Sequence, residues 1–368
     1  MGKVEENMYR GGLTLPPCHE GWAVQFYRFA NKRVRRGKIP GGPVGFSVYN
    51  RMAQRSSNTF LRWIFGIRSP RMAFGMGFFD RLFAKKEGVK RADIELRFER
   101  IRSAISGTMS NFFVAKDRMN NNAIVGVKLC DIDKVDFFES RFKGLNKPLE
   151  GEIASQMIHP NIARTLEYGL STKDQPYLVM EFVDGPGLQV LIQSKQEDLL
   201  KGRRLGMIRQ MADALLYVHR KEFIHRDICP RNFMCTEDLE TVKLIDFGLT
   251  LPATPPFMVP GNRTGTPLYM APEIVRRRAT DKRVDIFSFA VTCYHLITLD
   301  LPWQISDTTG KAALHHDTSP PREIQELCPN LDRNLAATIM TGMKANPDER
   351  IPDMESFIRG IRNVKESP

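Results

Sequence analysis

The 368-residue chain is long enough for one large bilobal domain or two ordinary ones, and its 42% hydrophobic content suits a packed core. The +12 net charge is unevenly placed: residues 1 to 91 hold 18 Lys or Arg against 5 Asp or Glu, whereas the remainder holds 36 against 37. A near-neutral main body excludes the uniformly basic surface of a nucleic-acid binder, so no nucleic-acid partner is expected. Six cysteines, at 18, 130, 229, 235, 293 and 328, form no C-x-x-C pair, which argues against a disulfide framework or zinc site and favours the cytoplasm. No apolar run is long enough for a membrane span, and the N-terminus lacks a charged-then-apolar pattern with a small-residue cleavage site, so neither a span nor a leader is expected.

In chain order, residues 1 to 91 read as a basic, largely disordered extension, broken by "KRVRRGK" and "KIPGGPVGF". Within it "GFFDRLFAKKEG" sets Phe78, Phe79, Leu82 and Phe83 at helical spacing ahead of Lys85 and Lys86. Such a short amphipathic helix docks on the neighbouring domain or frays; the alternative is weak contact with an anionic membrane surface.

From about 97 the runs "NFFVAKD" and "AIVGVKLCDI" predict a hairpin closed by "RMNNN". Residues 149–158 then read as a helix, and "IARTLEYG" and "YLVMEFV" as strands. After "DGPG", Ile208, Met211, Ala212, Leu215 and Leu216 make one apolar face of a helix over 204–220. Next comes the loop "HRDICPRN" (225–232), which holds Asp227 and Asn232 five residues apart. "FMC" and "VKLIDFG" then predict two short strands that bring Asp246 back beside Asp227 and Asn232.

"HRD…N…DFG" followed by "GTPLYMAPE" (265–273) resembles the catalytic core of the protein kinases, specifically the bacterial relatives of eukaryotic Ser/Thr kinases. The resemblance covers 97–364. It implies an α+β, bilobal fold with a small β-rich N-lobe (97–182), a larger α-helical C-lobe (183–364), use of ATP and Mg2+, and protein substrates phosphorylated on Ser or Thr. Asp227 is the expected acceptor of the substrate proton, Asn232 and Asp246 the expected magnesium ligands, and Thr266 the expected hydrogen-bond partner of Asp227.

"VGVK" resembles the V-A-I-K strand motif, which makes Lys128 the candidate grip on the nucleotide phosphates. Two carboxylates on the following helix could hold it. Three, four and seven residues beyond Glu150 lie Ile153, Ala154 and Met157, whereas the same steps from Glu152 reach Ser155, Gln156 and His159, so Glu150 faces inward. Glu150 also stands nine residues before "HPNI", where the family's helix glutamate lies.

The G-x-G-x-x-G loop falls on "ISGTMS" (105–110), so Ile105 and Ser110 replace two glycines and Gly107 alone remains. Weaker ATP binding or a different loop shape is expected. Met180, Glu181 and Val183 are expected at the adenine pocket. Cys229 stands where Ser/Thr kinases carry Lys, and Arg231, four residues after Asp227, is expected to supply the missing cation; Cys229 is a neutral filler or an oxidation-sensitive thiol. Thr264 is the expected phosphorylation site, with Arg226 as its partner. Asp285 is expected to anchor the catalytic loop, and Glu273 and Arg350 to form a buried ion pair. The competing functional reading is a pseudokinase scaffold, motivated by the degraded loop and Cys229. A small-molecule phosphotransferase of kindred fold is disfavoured by the G-T…A-P-E segment.

Overall fold

A computed structural model describes residues 90–106, 110–303 and 312–365. The chain divides into two units, Met1–Gly75 and Met76–Pro368, and every described residue belongs to the second. The expected extension and its helix at 77–88 lie outside the described residues. No helix among the described residues is long and apolar enough to cross a membrane.

The N-lobe runs β1 (Arg91–Ala92), α1 (Ile94–Arg97), β2 (Phe98–Ser106), β3 (Ser110–Asp117), β4 (Ala123–Cys130), α2 (Ile132–Glu139), α3 (Glu150–Ser155), β5 (Thr165–Ser171) and β6 (Pro176–Glu181). Its strands form one sheet in the order β1-β5-β6-β4-β3-β2. The β3–β4 hairpin turns through Asn121 and Asn122, both at positive φ (50° and 54°), a conformation asparagine tolerates better than most residues. Sheet structure begins before position 97, because β1 pairs in parallel with β5. Arg97 donates to Asp117 (2.8 and 2.9 Å) and Glu167 (2.7 Å), and Tyr177 shares Glu167, which ties this opening segment across the sheet.

The helix expected at 149–158 is present but shorter: α3 starts at Glu150 and spans only six residues. A helix that was not expected, α2, precedes it and ends at Glu139, and a loop through Lys147 and Pro148 joins the two. The proline explains the restart, since it cannot continue a helix but suits the residues just before one. Lys147 and Glu139 form an ion pair at 2.7 Å, 3% and 6% exposed, which pins the loop to the end of α2.

The C-lobe comprises α4 (Leu188–Gln193), α5 (Glu197–Leu200), α6 (Arg204–Arg220), β7 (Phe223–Ile224), β8 (Phe233–Cys235), β9 (Val242–Leu244), β10 (Leu251–Pro252), α7 (Pro272–Val275), α8 (Arg283–Thr298), α9 (Ile324–Leu327), α10 (Arg333–Gly342) and α11 (Met354–Gly360). Helix α8 is buried on every side from Val284 to Leu296, the signature of a central core helix, and α6 packs beside it through Met207, Ile208, Met211 and Leu215. Strand β9 is shorter than the predicted "VKLIDFG": it stops at Leu244, and the residues after it leave the ladder.

Candidate functional site

The site lies where β4, α3, the 225–232 loop and the segment after β9 meet. Lys128 is 5% exposed on β4 and donates to Glu150 Oε1 at 2.5 Å and Asp246 Oδ1 at 2.8 Å. Burial alone would lower the ammonium's pKa, but the carboxylates of Asp246 and Glu150 together hold it above the ordinary lysine value, so Lys128 is a fixed cation. Glu150 sits at the first position of α3. Glu152, the other carboxylate on that helix, turns back and accepts the Leu149 backbone N–H at 3.0 Å, capping α3 instead of facing Lys128.

Asp246 adopts φ 106°, a conformation uncommon for a residue with a side chain. Its Oδ1 accepts from Lys128 and from the Gly248 N–H (2.9 Å), and its side chain keeps 41% exposure. Burial would raise this carboxyl, but Lys128 outweighs it and holds the pKa below the ordinary aspartate value. Gly248 lies directly beneath: an added Cβ would meet Asp246 Oδ1 at 3.2 Å and Glu150 Oε2 at 3.4 Å.

Across from this cluster, Asp227 is held on both oxygens. Oδ1 accepts from Thr266 N (2.8 Å) and Oγ1 (2.6 Å), and Oδ2 accepts from Asn232 Nδ2 (3.0 Å) and, more loosely, from Arg231 Nη2 (3.5 Å). Burial nonetheless raises the Asp227 carboxyl above its ordinary value. Asn232 Nδ2 also donates to the Asp227 backbone carbonyl at 2.7 Å, which spends the amide's donors inward and orients Oδ1 as its acceptor. The Ile245 N–H donates to the Asn232 carbonyl at 2.9 Å, so Asp246 follows immediately beside Asn232.

Arg231, 56% exposed at the side chain, donates to Thr266 Oγ1 at 3.0 Å. Cys229 meets the same hydroxyl from inside, its Sγ 3.5 Å from Thr266 Oγ1; it is fully buried, and desolvation pushes its thiol up to about 12. A neutral, enclosed thiol is a poor nucleophile, which favours the filler role.

The loop is anchored from below by Asp285, which accepts from the backbone N–H groups of His225 and Arg226 (both 2.7 Å) and from His219 Nε2 (2.9 Å). These bonds hold Arg226 at φ 68°. The Arg226 guanidinium, 3% exposed, donates to Thr280 Oγ1 and the Asn262 carbonyl (both 3.1 Å), and its buried Nε has no partner. Burial lowers Arg226 to about 10. Arg141, beyond α2, donates to Asn262 Oδ1 at 2.9 Å, and Thr264 Oγ1 donates to the same oxygen at 3.4 Å. Gly265 sits at φ +130°, where a Cβ would lie 2.9 Å from the Arg226 carbonyl, so only glycine fits between this arginine and Thr266.

Met180, Glu181 and Val183 follow one another at the end of β6 and beyond it; Met180 and Val183 are buried, and the Glu181 carboxylate accepts from Lys243 at 2.5 Å. Gly107 and the side chain of Ile105 lie outside the described residues. Sequence reasoning missed Asn262, Arg141 and the aromatic link from α2 to the activation segment, residues 246–273, in which Phe142 meets Phe138 (5.3 Å between ring centroids) and Phe257 (5.8 Å). Its only signal was the aromatic content of "VDFFESRF", which carries no register to a partner 115 residues away.

Among the described residues no group of three or more His, Cys, Asp or Glu could by itself hold a metal ion. The oxygen donors present, one carboxylate and one amide, fit a magnesium ion that takes its remaining ligands from phosphates and water.

Residues 100–364 match the protein kinase domain family model. A probable serine/threonine-protein kinase of Streptomyces coelicolor is 30% identical over 251 residues, covering 66% of this chain and 36% of the relative. Serine/threonine-protein kinase PknB of Mycolicibacterium smegmatis is 29% identical over 259 residues, covering 66% of this chain and 39% of the relative. The chain thus spans little more than a third of the length of these relatives. The crystal structure of the Mycobacterium tuberculosis PknI kinase domain superposes with a TM-score of 0.55 at 22% identity, covering 72% of this chain and 95% of that one, and shows the shared fold. With the family model matching most of its length, this chain belongs to the protein kinase family.

Proposed function

We propose that the chain is an ATP- and magnesium-dependent Ser/Thr protein kinase. The observation that carries this reading is the convergence of Lys128, Glu150 and Asp246 opposite an Asp227 carboxylate held by Thr266 and Asn232. In this reading Asp227 receives the proton of the substrate hydroxyl, and its raised pKa suits it to that task. Glu150 keeps Lys128 extended toward the α- and β-phosphates. Asn232 and Asp246 hold magnesium, which when bound bridges the phosphates and offsets their charge. Arg231, half exposed, supplies the γ-phosphate cation that Cys229 cannot. Met180 and the backbones of Glu181 and Val183 receive the adenine, under a loop that includes Ile105 and Gly107.

Regulation by phosphorylation of Thr264 belongs to the same proposal. Thr264 shares Asn262 Oδ1 with Arg141, and Arg226 lies on the other side of Asn262, so a phosphate there could displace the neutral amide and pair with both cations. The cysteines among the described residues are all free, which supports a cytoplasmic setting.

The test is transfer of labelled phosphate from ATP to the protein itself or to a generic Ser/Thr-containing protein, with Asp246→Asn as control. Magnesium-dependent transfer well above that control is expected. Its absence would favour a nucleotide-binding scaffold, the reading that Ile105 and Ser110 in place of glycines motivates.

A further inference from the structure

The ion pair between Lys147 and Glu139 is buried beside the site, yet no step of the proposed chemistry uses it. Apolar residues of similar volume often serve a fold as well or better, so stability alone is a weak reason for such a pair. Its neighbourhood supplies another. A largely apolar cavity between α2, α3 and the sheet is lined by Val135, Phe138, Leu149 and Tyr168, and both Glu139 and Glu150 line it too. Lys147 stands three residues before Glu150, and its charge acts on that carboxyl as well as on Glu139. Its bonds run elsewhere: Nζ donates to Glu139 Oε1 at 2.7 Å and to the Pro148 carbonyl at 3.0 Å, and it lies 5.5 Å from the centroid of the Phe138 ring. Helix α3 itself is fixed, because Gly151 seats on Tyr168 of β5, where an added Cβ would meet the ring Cγ at 2.5 Å. The choice of partner for Glu150 therefore falls to side chains.

We propose that Glu139 is a positioning residue for Glu150: it holds Lys147 away, so that the Glu150 carboxylate stays with Lys128. This role rests on the reading of Lys128 and Glu150 given above. With Glu139 in place each buried lysine has its own acidic partners, Glu139 for Lys147, and Glu150 with Asp246 for Lys128. Without it the Lys147 ammonium is left desolvated, and a buried ammonium must find a carboxylate or lose its charge. Glu150, on the wall of the same cavity, is the carboxylate on offer. A Glu150 shared with Lys147 holds Lys128 less firmly toward the phosphates. The two members of the pair are thus unequal: loss of Glu139 releases a competitor, whereas loss of Lys147 removes it.

The test compares Glu139→Gln, Lys147→Met and the double variant in the full chain, by melting temperature and by the dependence of phosphate transfer on MgATP concentration, well below each melting point. Each single variant strands one partner of a buried pair, so both should melt below wild type, and the double variant should recover most of that loss. Activity should divide them. Glu139→Gln should lower kcat/KM for MgATP by about tenfold or more, while Lys147→Met and the double variant stay within about threefold of wild type. Losses in both single variants that follow their melting temperatures would overturn the inference, as a structural effect, and so would Glu139→Gln at the wild-type rate. Should a single variant not fold, the double variant decides: a rate near wild type supports the inference, and a folded double variant with an impaired rate contradicts it, because no competing ammonium remains. A wild-type protein that transfers no phosphate would instead remove the kinase reading itself, and this inference with it.

Discussion

Replacing Arg350 by alanine removes the centre of the C-lobe's polar core. The guanidinium pairs with Glu273 through two bonds (2.7 and 3.1 Å) and donates to the carbonyls of Arg283, Lys344 and Ala345. It also lies 5.1 Å from the Phe287 ring centroid. Glu273 is 5% exposed, so Arg350→Ala strands a carboxylate where water cannot reach it. Breaking a buried pair on one side costs about 3–5 kcal/mol, against a total of about 5–15 kcal/mol for a folded domain. At about 2–4 °C per kcal/mol for a domain of this size, the melting temperature should fall by about 6–20 °C, with aggregation in the weakest case. The assay is differential scanning calorimetry or dye-monitored melting. Arg350→Met combined with Glu273→Leu should recover at least half of the loss, because an apolar pair leaves no stranded charge. A single variant melting within about 2 °C of wild type would refute the reasoning that this pair is desolvated and energetically coupled.

Three further outcomes are expected. Burial raises the Asp227 carboxyl and the Thr266 hydrogen bond opposes that rise, so the acid limb of kcat/KM should lie above pH 3.8 and move higher still in Thr266→Val; a limb that does not move would separate Thr266 from Asp227. Burial depresses His295 and His316 from 6.5 to about 4, so both are neutral when folded and take up protons on unfolding. Their contribution is complete above pH 6.5 and fades toward pH 4; melting at pH 5 against pH 7 should show about 2 kcal/mol lost for each, and a flat profile would contradict their burial. Phe142→Ala breaks the aromatic link between α2 and the activation segment, and should slow phosphate transfer by about tenfold with MgADP affinity little changed; an unaltered rate would show that the link is only structural.

The parts of the site that were legible in the sequence are those whose geometry is local. Asp227 and Asn232 share one loop, and Asp246 returns beside them because β8 and β9 form a hairpin of three residues a side. Glu150 could be told from Glu152 by helical spacing, even though α3 proved shorter than expected and begins at Glu150 itself. What was not legible depends on partners that no period announces. The Lys147–Glu139 pair requires the break between α2 and α3. The Arg226 pocket is completed by Asn262, an ordinary loop residue in any one-dimensional reading. Likewise β1 joins the sheet through a parallel pairing with a strand that lies far along the chain, and two residues carry no pattern of their own.

In the proposed mechanism Asp227 acts on the substrate hydroxyl while other residues hold the nucleotide. Single-turnover transfer from MgATP to a serine/threonine peptide mixture, measured for wild type and Asp227→Asn alongside MgADP affinity, addresses it most directly. The expected result is a loss of about 10²–10⁴ in the transfer rate with affinity preserved. Transfer by Asp227→Asn within about tenfold of the wild-type rate would contradict the claim.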